Sequence, residues 1–85
     1  METIEKLPEG APMIGTREIV KGINSGKIRK VVFASNCPDF LQKSVRDATK
    51  FNEGSVEIFG FSGDQAELGT KTGRPFPVAM VGYTK

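Results

Sequence analysis

The run Ile28-Arg29-Lys30-Val31-Val32-Phe33-Ala34 does most to limit what this chain can fold into. It is rich in β-branched residues and ends in continuous apolar character, so its second half has no polar side to turn towards water. Such a segment reads as the central strand of a sheet that is covered on both faces. With 85 residues the chain makes one domain with a single core and little surplus, since small domains bury only about 60% of their unfolded surface. The cover must come from the segments on either side of this strand.

Those segments have the right patterns. Ala11 to Ile14 reads as a brief strand running into Gly15, followed by a helix to about Ser25 that stops at Gly26, the usual place for a glycine past a helix end. After the central strand, Asn36-Cys37-Pro38-Asp39 punctuates the chain, and Pro38 suits the first turn of a helix through Leu41, Val45 and Ala48 to about Phe51. Asn52-Glu53-Gly54 reads as a turn. Ser55 to Ser62 reads as a strand with Val56, Ile58 and Gly60 on one side and Phe59 and Phe61 on the other, so both sides need cover. Asp64 caps a short helix through Ala66 and Leu68 that Gly69 closes, and Phe76 to Tyr83 forms a last strand with Pro77 near its start. Met1 to Gly10, with Pro8, Gly10 and alternating charge, reads as a short arm ahead of a single domain over residues 11–85. This alternation predicts an α/β fold, a three-layer α/β/α sandwich around a mixed sheet of about four strands.

Composition narrows the function. There is no histidine and one cysteine, Cys37, so an internal disulfide is impossible and a zinc site would need three carboxylates or a second chain. We expect no metal and no cofactor. No phosphate-loop motif is present, and Glu57, Asp64 and Glu67 have no evident partners for acid–base work, so the chain reads as a binding protein and not an enzyme. Neither an apolar run of membrane-spanning length nor a charged-then-apolar leader occurs, which predicts a cytosolic protein without a membrane partner. Net charge is +2, but past Glu9 there are eleven Lys and Arg against seven Asp and Glu. That surplus of four leans towards RNA without deciding for it. Cys37 reads as a small turn residue, with the start of the next helix or a nearby lysine available to lower its pKa.

The stretch Gly15-Thr16-Arg17-Glu18-Ile19-Val20-Lys21 reads as a glycine turn opening an amphipathic helix. At about 100° per residue, Arg17, Glu18 and Lys21 lie within about 100° of one another, and Ile19, Val20 and Ile23 lie on nearly the opposite side. One face packs and the other is free to bind or simply to be solvated. Thr16 suits an N-cap, and the remaining N–H groups beside Gly15 can receive a phosphate or another acceptor.

Three blocks occur in one order: Gly15-Thr16-Arg17-Glu18 with Lys21; Ala34-Ser35-Asn36-Cys37-Pro38 after the buried strand; and Glu67-Leu68-Gly69-Thr70 followed by Gly73-Arg74-Pro75-Phe76. Together they resemble the kink-turn RNA-binding family of ribosomal proteins, over about residues 11 to 83. The second and third blocks are most similar to its large-subunit "thirty-e" branch, and the first is also similar to its "seven-A-e" branch. The resemblance implies an α/β/α sandwich, a place in the ribosome, and a sharply bent RNA helix with sheared G·A pairs, in rRNA, as ligand, with neighbouring ribosomal proteins as further partners. Regular A-form RNA hides its major groove from side chains, and a kink makes base edges reachable.

The resemblance also implies roles. Gly15 and Thr16 let RNA approach the helix start, Glu18 accepts from a guanine's Watson–Crick edge, and Lys21 donates to guanine acceptors or phosphate. Asn36 is placed to meet a base or ribose, with capping of the following helix as its alternative role. Phe76, in the loop after Gly73-Arg74-Pro75 and flanked by Pro77 and Val78, is placed as the apolar contact to a flipped-out base. Read from the residues themselves, Leu68 and Gly69 serve packing and helix termination, with a place near RNA as the alternative for Gly69. This chain departs from the pattern at Arg17, where the family usually carries an asparagine, since arginine donates but cannot accept. It also lacks the family's full helix before the first strand and its C-terminal extension, so one sheet face is expected to be short of cover, with rRNA or a neighbouring protein supplying it. These departures keep two alternatives open: a subunit of another ribonucleoprotein particle, and a protein-interaction module that retains the fold without binding RNA.

Overall fold

The structure is a computed structural model and describes residues 2–8, 10, 12–50 and 56–84. Eight elements follow in order: β1 (Glu2–Ile4), β2 (Met13–Ile14), α1 (Thr16–Asn24), β3 (Lys30–Phe33), α2 (Asp39–Lys50), β4 (Glu57–Phe61), α3 (Gln65–Lys71) and β5 (Met80–Tyr83). The strands form one mixed sheet in the order β1-β4-β3-β5-β2. It has five strands where the sequence predicts about four. The additional one is β1, which lies in the segment read as an arm: Glu2, Thr3 and Ile4 pair in parallel with Phe59, Gly60 and Phe61. The turn expected at Asn52-Glu53-Gly54 and the helix end at Phe51 lie outside the described residues.

β3 is the central strand, parallel to β4 and antiparallel to β5. Its alternation divides the core in two. Val31 and Phe33 pack with Ile19 and Ile23 of α1, Val45 and Ala48 of α2, and Met80, with Val56 and Ile58 against them. Val32 and Ala34 pack on the other side with Leu68 of α3, Phe61, Val78, Val81 and Tyr83. Helices therefore cover both faces, and the three-layer arrangement follows from the strand that demanded it. The face under α3 also takes Ile4, Leu7 and Ile14, so residues ahead of α1 supply part of the cover expected from a partner.

Three element ends differ from the sequence reading. Gly15, not Thr16, is the N-cap of α1, and no side chain caps that end. α3 runs through Gly69 to Lys71, and its chain reversal comes at Gly73, whose φ of +77° is left-handed, with Arg74 N–H donating to Gly69 O at 2.8 Å. β5 begins at Met80, so Phe76 to Ala79 form a connection and not a strand.

The pairing directions decide where a site can be. β2, β3 and β4 all run the same way, so the segments leaving their carboxyl ends, and the segment entering β5, gather at one end of the sheet. Open α/β sheets bind ligands in the crevice outside the carboxyl ends of their strands. The starts of α1, α2 and α3 and the connection 72–79 share that end.

Candidate nucleic-acid interface

Ile19 and Ile23 are fully buried, each contributing about 1.5–3 kcal/mol, and they fix α1 on the sheet with Arg17, Glu18 and Lys21 turned outward and exposed. Gly15 makes the entry to that helix: its φ of +103° is unsuited to residues with a Cβ, and its carbonyl accepts from Ile19 N–H at 3.0 Å. Nothing lies within 4 Å of where a Cβ would stand, so the backbone here faces open space. The first turn of a helix has N–H groups without intrahelical acceptors, and Glu18 is the acidic side chain beside them.

A cleft of about 170 Å³ joins this helix start to the connection before β5, with Ile14, Gly15 and Thr16 on one wall and Pro77, Val78, Ala79 and Met80 on the other. Beyond Pro77 a second hollow of about 280 Å³ lies between Ala66 and Thr70 of α3 and the segment Arg74-Pro75-Phe76. Arg74, Phe76 and Pro77 are exposed, Phe76 at 51%. Thus the first and third sequence blocks, separated by some sixty residues, meet along one surface.

Val78 joins them mainly from below. Its side chain is 3% exposed and packs in the core with Leu68 and Val81, so it anchors the loop while lining the cleft. Asn36 is exposed and has a partner that neither reading names. Its Oδ1 accepts from Gln65 N–H at 2.9 Å, and its backbone oxygen accepts from Gln65 Nε2 at 3.0 Å. The helix it caps is α3, not the α2 that follows it. Asp64 Oδ1 accepts from Glu67 N–H at 3.0 Å, so α3 begins with two side-chain acceptors, Asn36 and Asp64, and the Asp64 carboxylate serves helix geometry.

Gly69 lies within α3 because the loop leaves no room for a larger residue. A Cβ there would run into the Phe76 carbonyl oxygen and come within 3.1 Å of the carbonyl carbon. With Arg74 N–H on Gly69 O and Val78 N–H on Gln65 O at 3.0 Å, α3 brackets the backbone of Phe76 on both sides.

Two residues at this end escape the sequence reading. Gln65 carries no motif that marks it. Phe40, 70% exposed in the first turn of α2, does have a signal: it falls off the Leu41, Val45 and Ala48 stripe. Phe40 and Phe76 are the large apolar side chains left exposed among the described residues, and both stand at the carboxyl end of the sheet. Cys37 is buried, and burial first and Asp39 second push its thiol above the ordinary value of 9.0, opposite to the lowering considered from sequence. Among the described residues no cluster of three His, Cys, Asp or Glu is placed to hold a metal, and no helix is long and apolar enough to cross a membrane.

Comparison with known proteins bears on the same span. The family described as ribosomal protein L7Ae/L30e/S12e/Gadd45 matches residues 5–85. The chain belongs to that family. It is 31% identical over 87 residues to the large ribosomal subunit protein eL30 of Archaeoglobus fulgidus, covering all of this chain and 94% of the relative. The eL30 protein of Sulfolobus acidocaldarius is 33% identical over 76 residues, 89% of this chain and 71% of that one. Among solved structures, a protein with unknown function from Bacillus halodurans superposes with a TM-score of 0.74 at 17% identity, over 88% of this chain and 72% of the other. A Giardia lamblia 15.5kD RNA binding protein superposes with a TM-score of 0.66 at 23% identity, over 88% of this chain and 61% of the other. At those identities the two structures speak for the fold, which the family shares.

Proposed function

We propose that this chain is a large-subunit ribosomal protein of the eL30 kind that binds a kink-turn in rRNA and holds it bent, working as a binding protein on cytoplasmic ribosomes beside neighbouring ribosomal proteins. The carrying observation is the cleft that joins the open start of α1 to the Arg74–Pro77 loop. A straight A-form helix offers phosphates and ribose to such a surface but no unstacked base, whereas a kinked one offers both.

The roles then divide by chemistry. The N–H groups beside Gly15 and the cations Arg17, Lys21 and Arg74 favour phosphate, and Glu18, an acceptor in a basic setting, selects the N–H donors of guanine. Arg17 donates in a planar fork to guanine acceptors or phosphate. Phe76 and Pro77 supply an apolar surface for a base turned out of the stack, a contact worth about 1–3 kcal/mol.

The test compares binding to a short kink-turn RNA with binding to the same duplex after its G·A pairs become Watson–Crick pairs. Selective binding that Glu18→Ala with Lys21→Ala abolishes in a folded protein is the expected result. Equal binding to both RNAs, or unchanged affinity in the double variant, refutes the reading. Three cations at the surface predict an affinity that falls with a log–log salt slope of about 2.1 to 2.7, roughly 18- to 42-fold between 50 and 200 mM.

A further inference from the structure

Asn36 and Gln65 exchange hydrogen bonds reciprocally across 29 positions of sequence: the side chain of each meets the backbone of the other, Oδ1 from Gln65 N–H and Nε2 to Asn36 O. Gln65 then passes the connection on, since its carbonyl accepts from Val78 N–H at 3.0 Å. The end of β3, the first residue of α3 and the loop entering β5 are thus tied in series. Ser35 N–H on Gly63 O and Ala34 N–H on Ala79 O, at 3.0 and 2.8 Å, flank this tie with fixed backbone on either side.

We infer that Asn36 and Gln65 are positioning residues, a latch that sets where α3 holds the backbone of Phe76 and so where its exposed ring stands. The ring is not itself packed into the core. Its place is set by its neighbours: Val78 anchored below, Arg74 N–H bound to Gly69 O, and its own carbonyl seated over Gly69. All three of those contacts end on α3 or on the core beneath it. A helix of seven residues has few contacts to hold its orientation, and the latch fixes its first residue to the central strand. The inference rests on the proposed RNA contact of Phe76 for its functional consequence, while the tie to Val78 stands independently of any RNA.

Two measurements on the full chain test it. Amide hydrogen exchange by NMR reads the latch without ligand. Asn36→Ala should raise exchange at Val78 and Gln65 by about tenfold, the change expected for losing a hydrogen bond of ordinary net strength, while Ile23 and Val45 stay protected. Asn36→Asp, whose carboxylate still accepts from Gln65 N–H, should restore protection, and Gln65→Ala, which removes only the Nε2 donor, should shift Val78 part-way. Unchanged exchange at Val78 in Asn36→Ala, or no recovery in Asn36→Asp, overturns the latch. The second measurement is kink-turn RNA affinity in a double-mutant cycle. Asn36→Ala should weaken binding in the parent protein and cost nothing further in a Phe76→Ala background. Losses that multiply would assign Asn36 to direct RNA contact and overturn the positioning role. Should the parent protein not distinguish a kink-turn from a duplex, the functional reading fails, and the exchange result alone decides the latch.

Discussion

Gly69→Ala sets two effects of opposite sign against each other. Gly69 lies inside a helix, where alanine is favoured over glycine by about 1 kcal/mol, so an isolated view predicts a more stable protein. In the fold, the new methyl group collides with the Phe76 carbonyl oxygen and crowds its carbonyl carbon at 3.1 Å and Pro77 Cα at 3.4 Å. All three are backbone atoms, so no rotamer change relieves the clash. Overpacking of this kind costs about 1–3 kcal/mol, and lifting the loop also strains the Arg74 and Val78 hydrogen bonds, adding about 0.5–1.5 kcal/mol for each one lost. The expected balance is a net loss of about 1–3 kcal/mol, a fall of roughly 5–15 °C in Tm for a domain of this size. Displacement of Phe76 should also weaken kink-turn RNA binding by roughly 5- to 150-fold, read at a temperature where the variant is folded. Thermal unfolding by circular dichroism checks the first figure and RNA titration the second. A raised Tm with unchanged affinity would refute the close approach of the loop to α3.

Phe76→Ala should leave the unfolding free energy from urea titration within about 0.5 kcal/mol of the parent, because the ring is half exposed, while reducing RNA affinity by about 1–3 kcal/mol; a large stability loss would show the ring to be core. Gly15→Ala should cost about 1–3 kcal/mol by urea titration, since φ is +103° and no contact within 4 Å adds to or offsets that backbone strain. Cys37 and Tyr83 both hold their protons more tightly in the folded chain than in the unfolded one, through burial, with Asp39 a second cause at Cys37. The stabilisation is present below the unfolded values of 9.0 and 10.0 and is lost as pH rises through the folded ones, so the urea midpoint should hold to about pH 8 and fall from pH 9 upward. In Cys37→Ala the fall should begin about one pH unit later, and native Cys37 should alkylate more slowly than the same thiol in urea.

What the sequence made legible was local. Val31 to Ala34 announced a strand buried on both faces because every side chain there is apolar, and the helix after Gly15 announced itself through a charged face and a buried one. β1 left no such mark. Glu2-Thr3-Ile4 contains one apolar residue, and it becomes a strand because β4, more than fifty positions away, supplies a parallel partner. Asn36 misled for a related reason: an asparagine just ahead of a helix looks like its cap, yet the N–H it serves belongs to a helix 29 positions on. Gly69 reads locally as a helix stop, and only the arrival of the Phe76 backbone explains why a glycine stands in mid-helix. In Val78 one apolar residue serves both loop and core: it lines the cleft, and its side chain packs with Leu68 and Val81.

The two walls of the cleft are held in different ways, and on the proposed reading they meet different features of the RNA. The α1 wall is fixed by fully buried Ile19 and Ile23; its exposed cations act through phosphates that every RNA carries, and Glu18 beside them reads guanine. The Phe76 wall is a loop held by a seven-residue helix and a reciprocal hydrogen-bond pair, and it recognises only a base already displaced from its stack. Weakening the phosphate-binding cations of the first wall should therefore lower binding to kinked and straight RNA together and flatten the salt dependence, whereas removing Glu18 should lower binding to the kink. Loosening the second should lower binding to the kink alone and leave the salt slope where it was. A variant of Asn36, Gln65 or Gly69 that lost affinity for both RNAs equally would place those residues in the electrostatic surface, contrary to their geometry.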